Sequence, residues 1–402
     1  MRHISCMRPA LLAVAATLLA APAPSPTPTL EFSGPPGSAK PFLTATPSGG
    51  LLATWFEPRD SGLFALRIVN RREGRWSTPA TVTLRPNFFV NWADFPSAVE
   101  TADGRWIVHW LEKTATKSYA YHIRLSVSAD RGASWSEPVT PHSDRSTTEH
   151  GFVAMLPRPS GGADLIWLDG RQTAQVGGGT ERGSMALAAG VIDGSGRVLA
   201  DTILDRRTCD CCQTALARSA LGLIAAYRDR SDAEVRDIAI IRQVNGRWTQ
   251  PAPLAVDGWV YRACPVNGPS IAADGQQVAV AWYTGAGETP RVKLARSSDA
   301  GARFDRAVQI DDGSPLGRAE LELLPDGAVL AIWLEQVGDR AEWRAKQIRK
   351  DGRIGGRWTV GEVPATREAG FARAARLGKD LYVAWTAAGA QGGIRIHRLN
   401  LP

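Results

Sequence analysis

A short apolar run ending in an aromatic residue returns seven times along this chain: "LLATW" to Trp55, "WIVHW" to Trp110, "ADLIW" to Trp167, "LIAAY" to Tyr227, "VAVAW" to Trp282, "VLAIW" to Trp333 and "LYVAW" to Trp385. The steps between the aromatics are 55, 57, 60, 55, 51 and 52 residues. Runs this short and this apolar fit strands buried on both faces. A near-constant period of this size marks a propeller or a solenoid. Each run is followed by an alternating strand, from "ALRIV" and "IRLSV" to "IRIHRL", and preceded by another, such as "FLTAT", "GFVAML" or "GPSIAA". Six units then add an outer strand, five of them headed by Trp76, Trp135, Trp248, Phe304 or Trp358, with "RVLADTIL" in the third unit. Four strands per unit make a propeller blade. The N-terminal "TLEF" at residues 29–32 supplies the strand that the last unit lacks. The pattern predicts an all-β chain, a β-propeller of seven four-stranded blades with six as the alternative, in one domain over residues 30–402. The 40 Gly, 26 Pro and 14 Trp are spread evenly and leave no interdomain linker.

Arg2 and Arg8, the apolar run Ala10 to Ala21 and the Ala21-Pro22-Ala23 site read as a secretory signal peptide over residues 1–23. A flexible Pro-rich tether at 24–29 follows, and no second long apolar run occurs. The expectation is an exported protein, periplasmic or extracellular, without a transmembrane segment. The net charge of +7 comes without any Lys/Arg block interleaved with aromatics, which argues against nucleic acid as a partner and leans towards acidic ones.

"SADRGASW" (Ser128, Asp130, Gly132, Trp135) matches the pattern S-x-D-x-G-x-x-W, and "SSDAGARF" (Ser297, Asp299, Gly301, Phe304) matches it with Phe for Trp. In these repeats the chain resembles the sialidase-like (BNR/Asp-box repeat) β-propeller family. "REGRW", "VNGRW" and "IGGRW" look like degenerate copies. The resemblance implies that these boxes are structural turns, on the face opposite the ligand. The working face then receives the loops between blades and the loops that follow each aromatic strand.

That sorting gathers Asp94 from "NWADFP", Glu149 and His150 from "TTEHGF", Tyr261, Arg262 and Cys264 from "YRACPVNGP", Asp169 and Arg171 from "DGR", Arg228 and Asp229 from "RDRSDAEVRD", and Arg59 from "EPRD". A sialidase-like site implies arginines that grip a sugar carboxylate, an acid/base Asp, and a Tyr activated by Glu. Arg59, Arg171 and Arg228, with Asp169 and Asp229, are the ligand-binding candidates on that reading. Asp94 is the acid/base candidate, and Tyr261 the phenol, with Glu149 or Glu234 beside it. The first strand, "KPFLTAT", offers only Lys40 where the family pattern has an arginine. The expected partner is an acidic sugar or glycan, and the expected state a monomer.

Cys209, Cys211, Cys212 and Cys264 fall on equivalent loops of neighbouring blades. In an oxidising compartment an even count favours disulfides. A C-x-C-C triplet with Cys264 or His150 also offers three or four soft ligands for Cu or Zn. A glycan hydrolase needs neither metal nor such a triplet, so the cysteines favour a second reading: a non-catalytic propeller that binds a metal or a partner protein.

Overall fold

A computed structural model describes residues 27–116, 119–174 and 183–401, so the segment read as a signal peptide and the start of the expected tether lie outside the described residues. Seven antiparallel sheets stand in a ring, and helix is limited to three single 3₁₀ turns among the described residues. Among the described residues no helix is long and apolar enough to cross a membrane. Blade 1 runs from its inner strand Ala39–Ala45 outward, and the inner strands of blades 2 to 7 are Ser97–Glu100, His150–Pro157, Ala215–Ser219, Ser270–Asp274, Pro315–Leu323 and Arg373–Leu377. In blade 2 the outer position is reduced to a bridge in which Leu125 and Val139 exchange backbone bonds of 2.8 Å.

The repeat read from the sequence has a direct packing cause. Seven apolar clusters are found among the described residues, one between each pair of neighbouring blades, and each of the seven recurring aromatics belongs to a different one. Trp55 fills the interface of blades 7 and 1, Trp167 that of 2 and 3, and Trp333 that of 5 and 6. One large ring per interface sets both the blade spacing and the apolar character of the strand that carries it. Carboxylates two residues further on take several indole N–H groups: Trp167 Nε1 donates to Asp169 at 2.8 Å and Trp333 Nε1 to Glu335 at 2.5 Å.

The ring closes as the strand count requires. Thr29–Ser33 pairs antiparallel with Ile394–Asn400, Thr29 opposite Arg398 and Ser33 opposite Arg395, so blade 7 is built from both ends of the chain. Phe32 of this strand lies 5.6 Å from the rings of both Trp55 and Trp76, and Glu31 pairs with Arg398 at 2.8 Å. Removing the Phe32 ring leaves a gap at the seam between first and last blades. Phe32→Ala should therefore cost about 2–3 kcal/mol, read as a lowered denaturant midpoint. A midpoint unchanged from the parent would mean that the seam does not depend on this strand.

The two box turns share one hydrogen-bond scheme. Ser128 Oγ donates to Asp130 at 2.8 Å and accepts from Gly132 N at 2.7 Å, and Ser297 does the same with Asp299 at 2.8 Å and Gly301 at 2.9 Å. Gly132 has φ +88°, and a Cβ there would lie 2.9 Å from the Trp106 ring, so this position needs glycine.

Candidate functional site

The working face is organised by three bulges at the heads of inner strands. The register shifts between Ala39 and Phe42, between Gly151 and Ala154, and between Gly317 and Glu320. The residues inside the shifts, Lys40, Phe152 and Arg318, take φ of 61°, 54° and 56°. Left-handed backbone at a non-glycine residue is costly and persists only where surroundings hold it. Here each bulged amide is taken by a side-chain oxygen from elsewhere on the face: Lys40 N by Thr386 Oγ1 at 3.3 Å, Phe152 N by Asp94 Oδ2 at 2.7 Å, and Arg318 N by Asn267 Oδ1 at 2.6 Å.

Asp94 thus has an architectural task, and its side chain is only 3% exposed. Its loop crosses the mouth of the channel: Trp92 stacks on Phe371 at 5.9 Å, Phe95 meets Phe42 and Phe371 at 6.0 Å, and the Ala93 carbonyl accepts from Gln213 Nε2 at 2.6 Å. Below lies a cavity of about 260 Å³ that Asp94 lines together with Glu320, Glu322 and Arg373. Burial, with the Glu149 carboxylate adding, pushes the Asp94 carboxyl up to about 8.

Glu149 meets a different phenol from the one expected. Tyr121 donates its hydroxyl to Glu149 Oε1 and stacks on Phe89 at 3.9 Å. Burial first, then the charge of Asp210, raises the Glu149 carboxyl to about 7, against the lowering effect of the Tyr121 bond. Tyr261 is 38% exposed and stacks on Trp259 at 5.2 Å, with Tyr283 edge-on to Trp259 at 5.5 Å. Glu234, the other partner considered for Tyr261, pairs instead with Arg230 at 2.8 Å and Arg236 at 2.7 Å.

The three arginines expected to converge on a carboxylate do not. Arg228 is 2% exposed and donates to the Asn267 carbonyl at 2.9 and 2.7 Å, to the Tyr283 carbonyl at 2.7 Å and to the Arg236 carbonyl, beneath the Trp259 ring at 4.9 Å. Arg171 is forked onto Asp169 at 2.7 and 2.8 Å and onto Asp201 at 2.8 Å. Asp169, the indole partner in blade 3, is fully buried, so the Asp169–Arg171 pair is a scaffold element. Arg59 stays half-exposed against Glu57 at 2.6 Å. Asp229 accepts from the Arg230 amide at 2.7 Å, and its carboxyl is raised by burial. Arg318 and Arg367, which the sequence reading passed over, flank Trp92 at the mouth, and Arg318 is itself buried, 7% exposed, donating to the Gly370 carbonyl at 2.8 Å and the Thr366 carbonyl at 3.1 Å. Arg318 lies over Trp92 at 4.9 Å and Phe371 at 5.7 Å, and Arg367 lies over Trp92 at 5.6 Å. Burial, with the like charge of Arg318 adding and Glu368 opposing, lowers the Lys40 ammonium. Both Lys40 and Arg318 head inner strands, the position that marks them.

The four thiols are free and gathered on one side of this face. Cys209 Sγ lies 3.4 Å from Cys212 Sγ and 3.9 Å from Cys211 Sγ. The ligand atoms of Asp210, Cys211 and Cys264 lie within 4.8 Å of one another, which brings in the loop of the next blade. His150 is not among them. Its ring stacks on His142 at 3.9 Å and meets His122 at 5.2 Å, and its Nε2 faces Asp144 at 3.1 Å and Asp169 at 3.6 Å. Burial and the like charge of His150 push His142 down to about 3, and burial lowers His150 as well.

No protein-family model matches the chain, and no curated protein does. Among solved structures, an ulvan lyase of polysaccharide lyase family 25, bound to -[GlcA(1-4)Rha3S]-, is similar over 92% of this chain and 96% of its own, with 11% identity and a TM-score of 0.59. The polysaccharide lyase Uly1 is similar over 97% and 94%, with 10% identity and a TM-score of 0.54. The phage phi92 endosialidase is similar over 94% and 69%, with 10% identity and a TM-score of 0.50. At these identities the likeness is one of fold.

Proposed function

We propose that this seven-bladed, sialidase-like propeller is carbohydrate-active and takes an acidic glycan on its working face. The observation that carries the reading is the Glu149 carboxyl, fixed by the Tyr121 hydroxyl and holding its proton up to about pH 7, on the same face as the Tyr261–Trp259 stack. A carboxyl that titrates near neutrality suits general acid–base work on a glycosidic oxygen. Tyr121 is buried and acts as a positioning residue, whereas Tyr261 offers an exposed aromatic face for a sugar ring. Asp94 lies close enough for its charge and that of Glu149 to sense each other, and is the second proton-bearing carboxyl of the set. Lys40 and Arg367 supply the opposite charge at the mouth. The ulvan lyase of similar fold is itself bound to a uronic-acid repeat, which supports an acidic ligand.

The test is a panel of uronic- and sialic-acid glycans, followed for binding by calorimetry and for turnover by two products. New reducing ends without unsaturation mark hydrolysis, and an ultraviolet-absorbing unsaturated sugar marks elimination. Tyr261→Ala should weaken binding about tenfold. Glu149→Gln should leave binding and lower turnover at least about a hundredfold, and parent activity should fall as pH rises above about 7 with loss of the Glu149 proton. A protein that binds none of these glycans, or binds and turns them over equally well with both substitutions, would remove the reading.

A further inference from the structure

We propose that Cys209, Cys211 and Cys212, with Cys264 at the open side, form a thiolate seat for one closed-shell soft metal ion, Zn(II) or Cu(I). The site is separate from the glycan reading and does not depend on it.

The argument is geometric. A metal–sulfur bond of about 2.3 Å in a tetrahedron places neighbouring sulfurs about 3.8 Å apart. The Cys209 separations of 3.4 Å and 3.9 Å bracket that spacing, and all three Sγ atoms of the triplet lie within 4.8 Å of one another. Cys209 and Cys212 stand in C-x-x-C spacing, a common pitch for two ligands of one ion. The seat is built from rigid parts: the Cys209 amide donates to the Arg228 carbonyl at 3.0 Å, anchoring the loop to the blade-4 strand Gly222–Arg228. The Asn267 amide donates to Cys212 Sγ at 3.4 Å, the kind of outer bond that orients a thiolate ligand. Cys209 and Cys212 are buried, Cys211 is half-buried and Cys264 is exposed, so the set is closed on three sides and open where Cys264 and Asp210 stand.

Charge fits as well. Each thiol must lose its proton on binding, and three or four thiolates around one cation leave a net negative group. Arg236 lies 3.5 Å from Asp210 and Arg230 lies 3.6 Å from it, while Arg228 is fixed beneath the same loop. An all-sulfur set without nitrogen selects soft ions over Mg(II), Ca(II) or Mn(II).

The full mature chain, reduced and kept anaerobic, would be titrated with Zn(II) alone and with Cu(I) alone against a competing chromophoric chelator. One equivalent of either ion should be taken from the chelator, with protection of the thiols from alkylation, and the ion held against the stronger competitor identifies which of the two the seat prefers. Cys211→Ser, a half-buried change, should weaken uptake at least about a hundredfold while the thermal unfolding transition stays cooperative. Cys264→Ser, at an exposed position, should weaken it less. No uptake by the reduced parent protein, or uptake unaltered by both substitutions, would overturn the proposal. Two disulfides that form when the metal-loaded sample is opened to air, dioxygen taking the electrons and the ion being released despite excess metal, would also overturn it, in favour of a loop staple. Glycan binding measured on the same samples keeps the two readings apart.

Discussion

Replacing Arg228 with alanine should lower the stability of the folded protein by about 3–5 kcal/mol. The side chain holds three carbonyls that belong to different parts of the working face: Asn267 on the loop into blade 5, Tyr283 on the blade-5 aromatic strand and Arg236 on the blade-4 loop. Without the guanidinium those buried acceptors lose their donors together, and the Trp259 ring loses the cation beneath it. Lysine should not restore the loss, because a single ammonium cannot reproduce a planar fork that serves three acceptors. The measurement is a denaturant midpoint for Arg228→Ala and Arg228→Lys beside the parent. Parent-like midpoints with abolished glycan binding would return Arg228 to the role of a ligand-gripping residue.

The second large effect is one of pH. In the unfolded chain Asp94 releases its proton near pH 4, whereas in the folded protein it does so at about 8, because it is buried and Glu149 stands near. Between those values the folded protein keeps a proton that the unfolded chain gives up. Stability is therefore greatest at the acidic end of that window and falls as pH rises towards 8. Glu149, raised to about 7 mainly by burial, adds a smaller slope of the same sign. Asp94→Asn keeps an oxygen for the Phe152 amide and has no proton to lose, and Asn267 already performs that task for Arg318. The variant should be more stable than the parent at pH 8 by a few kcal/mol and should show a flatter dependence of Tm on pH between 5 and 8. A parent Tm that rises over that interval would contradict the assignment of a protonated Asp94.

These results show which information the linear pattern carried. Blade number, strand order and ring closure were legible because one large aromatic per blade interface must recur at the blade period, and an unpaired last blade must find its outer strand at the other end of the chain. The gathering of the four cysteines on one face followed from the same bookkeeping of loops. The partners of individual polar groups did not. Whether Asp94 meets a ligand or caps the Phe152 amide depends on a bulge in another blade, and nothing in "NWADFP" encodes that bulge. Arg228 ends the aromatic strand Gly222–Arg228, second from the channel, at the rim where a ligand-binding arginine would stand, yet its length lets it fold back onto backbone carbonyls. Tyr121 was hidden inside the strand pattern "YHIRLSV", although its place at the head of that strand puts its hydroxyl at the working face. Asp169 was ambiguous for a similar reason: two residues after the buried Trp167, it accepts from that indole and holds Arg171.

The seam in blade 7 has a practical corollary for how this molecule can be displayed. Thr29 begins the closing strand opposite Arg398, and Asn400 ends the strand beside it, so the two described ends leave side by side from one blade rim. That rim carries the box turns, away from Glu149, Tyr261 and the thiols. Immobilising the protein through a tag at either end orients every copy alike, with the proposed glycan and metal surfaces turned outward to the bulk solution. Surface-based binding measurements on a homogeneous layer are then open to it without blocking the sites they probe.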